Sequence, residues 1–141
     1  FSSRKLAELE PVEPFTGANT ARAVVVAYFT ASKDGDAARA AGLIDYDEWG
    51  KRRGLAGERA KQFEAQHRAA LEEAYRIEKD AGSTKEFRII HAAVGPNTAV
   101  FQIAQERASG VHLYEVTLML KRGRWVIVDF NLKSVGERPR G

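Results

Sequence analysis

Apolar residues recur along this chain at two spacings, and the spacing changes near Lys85. Before that point they return every three or four residues, the repeat of one helix face. After it they alternate, the repeat of a strand with one side on a core. Residues 21–32 carry Val24, Val25, Val26, Tyr28 and Phe29 with no breaker before Gly35, and either Asn19 or Thr20 can cap their start. Apolar on most sides, this segment reads as a buried helix. The turn Lys33-Asp34-Gly35 and a capping Asp36 lead into a second helix over 37–43, whose alanines allow close approach in a helical hairpin. Residues 45–57, with Trp49, three glycines and the basic triplet Lys51-Arg52-Arg53, read as a loop with at most a short strand. A long amphipathic helix follows over 58–81, with Phe63, His67, Ala70, Leu71, Ala74 and Tyr75 on one face and Gly82 to end it.

Four strand-like runs follow, over 87–94, 98–107, 111–121 and 124–133. Their connectors, Gly95-Pro96-Asn97, Ala108-Ser109-Gly110 and Arg122-Gly123, are short enough for hairpins. Helices followed by a meander predict an α+β fold, with the N-terminal helices packed on the concave face of a curved antiparallel sheet. Residues 1–16, mixing charge with Pro11 and Pro14, read as a tether holding at most one helical turn over 4–10. Residues 17–135 read as a single domain and 136–141 as a frayed tail.

Register follows from the turns, because opposed residues of an antiparallel pair point to the same side. A two-residue turn at Arg122-Gly123 sets Leu120 against Trp125, Leu118 against Ile127, Val116 against Asp129 and Tyr114 against Asn131. Carried across the earlier hairpins, the same face gains His112, Phe101, Gln105 and His91, and a one-residue bulge there would send His91 to the other side. The face is apolar at Leu118, Leu120 and Trp125 and polar where His112, Tyr114, Asp129 and Asn131 gather, the usual chemistry of a small-molecule pocket. The ligand-binding candidates are therefore Tyr28, His91, Phe101, His112, Tyr114, Trp125, Asp129 and Asn131. The opposite face would carry Leu113, Thr117, Met119, Val126, Val128, Phe130 and Leu132, too apolar to leave in water. A homodimer through that face is the expected remedy.

Chemistry adds little that is specific. Asp129 could serve as a base, Tyr114 or Tyr28 as a proton donor, and His112 or His91 as an alternative base. The same residues could equally hydrogen-bond loop backbone at a pocket rim. Trp49 and Trp125 could stack on a ligand or simply pack. The absence of cysteine excludes disulfides and thiolate catalysis, and His67, His91 and His112 lie on different elements without metal-ligand spacing. There is no glycine-rich phosphate loop, nucleophile elbow or paired catalytic carboxylate motif, so neither a cofactor nor a metal is expected. With 44% hydrophobic and 29% charged residues the composition is that of a globular protein, and no apolar run is long enough to cross a bilayer. A net charge of +3, with short basic clusters at Lys51-Arg52-Arg53 and Lys121-Arg122-Gly123-Arg124 lacking interleaved aromatics, argues against nucleic acid. The start at Phe1 is consistent with a removed leader and hence with export.

The Val-Tyr-Phe helix, Gly35-Asp36 before an alanine-rich helix, a long third helix and a last strand reading Gly123-Arg124-Trp125-Val126-Ile127-Val128-Asp129-Phe130 together resemble the nuclear transport factor 2-like, or SnoaL-like, cone-fold superfamily. The resemblance extends over residues 20–132 and is similar in its outline to uncharacterised exported or lipoprotein-type members. It implies a pocket between the helices and the concave sheet. Members include isomerases, cyclases, dehydratases and transport factors, so the resemblance implies a cavity and not a reaction. The resulting expectation is a non-catalytic domain of the cell envelope that binds a small apolar ligand or a protein partner. The alternative is an isomerase-, cyclase- or dehydratase-like enzyme using Asp129 with Tyr114 or a histidine.

Overall fold

Local capping chemistry divides residues 20–53 into three helices. The computed structural model describes residues 20–78, 86–107 and 110–136; the expected tether, the end of the long helix and all of the tail but Gly136 lie outside them. Thr20 is the cap of α1 (Ala21–Asp34), its Oγ1 accepting from the Ala23 N–H at 3.0 Å. Gly35, at φ 71°, closes α1 in the left-handed conformation. Asp36 then caps α2 (Ala37–Ala41) by accepting from the Arg39 N–H.

The segment expected as a loop is instead a helix, α3 (Tyr46–Arg52), capped by Asp45 accepting from the Glu48 N–H at 3.0 Å. Its first turn holds Asp47 and Glu48 and its last Lys51 and Arg52, the charge order that complements a helix dipole. Gly50 within it and the glycines at 54 and 57 mask that signal. After Gly57, at φ 57°, comes α4 (Glu58–Glu78).

The four strands, β1 (Glu86–Val94), β2 (Thr98–Arg107), β3 (Gly110–Lys121) and β4 (Arg124–Gly136), form one antiparallel meander in the order β1-β2-β3-β4. Arg122 and Gly123, at φ 53° and 76°, make the two-residue turn expected there, and Leu120 faces Trp125. Phe101, Ile103, Val116, Leu118 and Ile127 are wholly buried on the inner face, under Val25 and Phe29 of α1. Each such side chain contributes roughly 1.5–3 kcal/mol by leaving water. Ala40 and Ala41 are buried where α2 packs on α1 and on the long helix that follows.

Both outer strands carry bulges, and these correct the expected parity. In β1 the register shifts between Ile89 and His91, so Ile90 is the extra residue and His91 pairs with Gln102 on the outer face. In β4 a shift between Thr117 and Leu118 leaves Val128 unpaired: Leu118 still faces Ile127, but Thr117 faces Asp129 and Val116 faces Phe130. Val128 and Ile127 are consequently both fully buried. Asp129 and Asn131 thus move to the outer face, and Phe130 takes the inner position expected for Asp129. A further shift skips Lys133.

The first half of β4 is not a free edge. Residues 43–45 run beside it, with the Ile127 N–H donating to Leu43 O at 3.1 Å and the Asp45 N–H donating to Ile127 O at 2.8 Å. Lys121 Nζ ties the start of α3 to the same hairpin, at 2.8 Å from Asp45 and 3.4 Å from Glu48. Burial alone would raise the Asp45 pKa, but the bonds from Lys121 and from the Glu48 and Asp47 N–H groups outweigh it and hold the carboxyl below its usual value.

Candidate functional site

The inner sheet face is filled unequally. Leu118, Ile127 and Trp125 lie in the closed core together with Ile44, Tyr46 and Trp49. Toward the far ends of α1 and α4 a cavity of about 150 Å³ remains, lined by Tyr28, Phe29 and Ser32 of α1, His67, Leu71, Ala74 and Tyr75 of α4, and Gln105, Arg107, Tyr114 and Phe130 of the sheet. The helix repeat places these residues: Tyr28 and Ser32 are one turn apart, and His67, Leu71 and Tyr75 follow one another at four-residue steps.

One wall is polar and connected. The Tyr28 and Tyr75 hydroxyls are hydrogen-bonded, Ser32 bonds to Tyr75, and Gln105 Nε2 donates to Ser32 Oγ at 3.5 Å. Burial pushes the Tyr28 phenol well above its ordinary pKa, and the Tyr75 hydroxyl reinforces this. Burial also raises Tyr75, against the opposing effects of Ser32, Tyr28 and the Arg107 charge. Both phenols stay protonated at neutral pH and act as donors. The other wall is apolar: Phe29 stacks on Phe87 at 5.5 Å, and Phe130 meets Tyr28 at 4.8 Å between ring centroids.

At one end His67 Nδ1 lies 2.7 Å from the Tyr46 hydroxyl, inside a cluster of Trp49, Phe63 and Phe130. Burial, then the charges of Arg53 and Arg68, push the His67 pKa down, and burial pushes the Tyr46 phenol up to about 12. Both are neutral at pH 7, sharing one hydrogen bond. The Trp49 indole Nε1 is buried in the same cluster with no hydrogen-bond partner among the described residues.

Of the eight residues expected in a ligand pocket, Tyr28 and Tyr114 line this cavity. His112 stands beside it, stacked on Tyr114 at 6.2 Å, with its pKa lowered by burial and by Arg107. Phe101 lies beneath, wholly buried in the core, and Trp125 is buried in its closed part opposite Leu120. His91 is exposed on the outer face. Asp129 and Asn131 instead border an open surface groove with Arg52 and Arg53, where Asp129 Oδ1 is 3.6 Å from the Arg53 guanidinium. Among the described residues, no Asp or Glu lines the cavity.

Ser32, His67, Tyr75, Gln105 and Arg107 were not among the expected site residues. A signal for two of them lay in the pattern: Ser32 and Gln105 are polar residues on apolar repeats, at the buried positions one turn after Tyr28 and two residues after Ile103. Phe130 was unreachable without the bulge.

No protein-family model and no curated protein matches the sequence. Solved structures do match. A candidate NTF2-like transpeptidase from Campylobacter jejuni superposes with a TM-score of 0.57 at 13% identity, over 77% of this chain and 97% of that one. A SEC-C motif-containing protein from Rhodopseudomonas palustris gives 0.53 at 15% identity, over 92% and 86%. An NTF2-like protein of unknown function from Cytophaga hutchinsonii gives 0.49 at 9%. By its superposition on the Campylobacter jejuni structure the chain has the NTF2-like α+β fold, in which a curved antiparallel sheet carries the helices on its concave side.

Proposed function

We propose that this chain is a non-catalytic domain that binds a small, largely apolar molecule in the cavity beneath α4. The carrying observation is the lining itself: among the described residues, one apolar wall and one wall of hydrogen-bonding side chains without an Asp or Glu. A cavity of about 150 Å³ is the size that holds a benzene-sized guest when its walls are apolar. The enzymatic alternative loses its base, because Asp129 is on the opposite sheet face from Tyr114 and next to Arg53. No helix among the described residues is long and apolar enough to cross a membrane. A role in the cell envelope rests on the sequence outline alone.

The test is occupancy. Benzyl alcohol should shift the amide resonances of Tyr28, Tyr75 and Gln105 in a saturable way, and Ala74→Phe, which fills the cavity from α4, should abolish those shifts while the protein stays folded. Unshifted resonances in the unmodified protein would defeat the reading.

Self-association belongs to the same proposal in altered form. With Val128 and Phe130 turned inward, the outer face keeps Val100, Ala104, Leu113, Met119 and Val126 as its apolar stretch, interrupted by Gln102, Glu115 and Thr117. A homodimer closing over it should show twice the monomer mass in light scattering at micromolar concentration. A monomer at every concentration removes the dimer and leaves the cavity untouched.

A further inference from the structure

At one end of the cavity an imidazole is held from several sides. His67 lines the cavity, and its ring is packed by Trp49 at 4.8 Å and by Phe63 and Phe130 at 6.5 Å between centroids, Phe130 lying within 20° of parallel. Its Nδ1 is 2.7 Å from the Tyr46 hydroxyl, and no other side chain hydrogen-bonds to this ring among the described residues. Tyr46 is 4% exposed and does not line the cavity. With Nδ1 turned away toward Tyr46, the ring meets the cavity by the edge that carries Nε2.

We infer that His67 selects the ligand: its ring proton sits on Nε2, placed there by Tyr46, and is donated to an acceptor oxygen of the guest, a carbonyl on an apolar body. This rests on the binding reading above and names the chemical class that reading leaves open. Two features fix the tautomer. A phenol has one hydrogen to give, and Tyr46 gives it to Nδ1; were Nδ1 the donor, the Tyr46 hydrogen would be left without an acceptor at a buried position, which is costly. The Arg68 guanidinium, over the Tyr46 ring at 4.9 Å, draws electron density from the phenol and makes it the better donor of the two. The ring stays neutral because burial and the charges of Arg53 and Arg68 oppose a second proton. A neutral imidazole protonated on Nε2 keeps no lone pair on that edge, so toward the cavity it can only donate. A carbonyl oxygen answers it, being an acceptor only, and a ring already fixed by its aromatic neighbours loses little freedom in making the bond. Phe29, Leu71 and Phe130 are there for the rest of the guest.

The experiment uses two guests of the same shape, acetophenone and isopropenylbenzene, which differ by a carbonyl oxygen in place of a methylene, titrated into the full chain at neutral pH. Nitrogen-15 spectra of the histidine rings should show His67 protonated on Nε2 before any guest is added. Acetophenone should move the Nε2 resonance and that of its proton in a saturable way. Isopropenylbenzene should leave them in place, although both guests shift the Tyr28 and Tyr75 amides. The affinity ratio of acetophenone to isopropenylbenzene should fall about five-fold in His67→Phe, the worth of one neutral hydrogen bond. In Tyr46→Phe the His67 ring should become a mixture of tautomers and the ratio should fall by a smaller factor, a spectroscopic change that lost packing alone would not produce. Should His67→Phe fail to fold, the ring-nitrogen spectra of the unmodified protein still decide. A ring protonated on Nδ1, or acetophenone bound with the Nε2 resonance unmoved, overturns the inference and leaves the cavity reading standing. Amide shifts from neither guest defeat both.

Discussion

The two ends of the inner sheet face are built from the same four strands and the same alternation, yet one is solid and the other is hollow. At the solid end the sheet presents Leu118, Ile127 and Ala99, and the other side supplies alanines and Ile44 of the segment beside β4. Small against large, the surfaces interlock, and residues 43–45 are hydrogen-bonded along β4. At the hollow end the sheet presents Gln105, Tyr114 and Phe130, and the helices answer with Tyr28, Ser32, His67 and Tyr75. Long rings bearing polar tips cannot interlock in the same way, because each hydroxyl must be turned toward a partner. The difference shows that a pocket here follows from side-chain choice on a uniform backbone frame, with the long α4 as its roof.

The contrast predicts unequal costs for truncation. Leu118→Ala, in the solid region, should lower stability by about 2–5 kcal/mol by opening a void its neighbours cannot fill. Leu71→Ala, on the half-buried roof, should cost only about 1 kcal/mol, its exposed share of apolar area being already in water. Urea midpoints for the two variants measure the gap, and equal losses would erase the distinction between the ends.

Acidification should act on the hollow end first. His67 and His112 both have pKa values lowered in the fold, by burial and by neighbouring arginines. As pH falls below about 6.5, the unfolded chain takes up protons at these positions before the folded one does. Stability is therefore greatest above that pH, declines as it falls toward the folded values, and loses nothing more from these groups below them. In His67→Gln the decline between pH 7.5 and 5 should be shallower than in the unmodified protein. An identical slope would mean that His67 titrates as it does in the unfolded chain.

The smallest effect should come from Asp129→Asn. Its contact with Arg53 spans 3.6 Å between partly exposed groups, and such pairs contribute less than about 1 kcal/mol. Benzyl alcohol binding should be unchanged in the same variant. A loss of several kcal/mol, or of binding, would bring Asp129 back into the site.

What could be read from the sequence, and what could not, divides along physical lines. α1, α4 and all four strands were legible because periodicity and turn residues agreed: Thr20, Gly35 and Arg122-Gly123 each do the local work their chemistry suggests. The helix α3 escaped because its signals, Asp45 before and Lys51-Arg52 at its end, are those of any charged loop once glycines surround them. The bulges at Ile90 and Val128 left no mark at all. Both are ordinary β-branched residues in apolar runs, and their extra position is set by how the strand must curve over α1, a tertiary demand. Since each extra residue inverts every side chain beyond it, these two irregularities accompany the displacement of Asp129, Asn131 and His91 from the expected pocket and the entry of Phe130 into it.

Those bulges also bear on how the molecule keeps to itself. β1 and β4 are the two margins of the sheet, and a straight margin offers a row of unpaired amides to any other strand, the route by which sheet proteins aggregate. Here each margin is broken where it would otherwise be flat: β1 at Ile90, β4 at Val128 and again at Lys133, with residues 43–45 laid along part of β4. The irregularity that re-aims the pocket residues thus also spoils the template for edge-to-edge stacking, so that shaping a binding site and staying dispersed in a crowded solution draw on the same few residues.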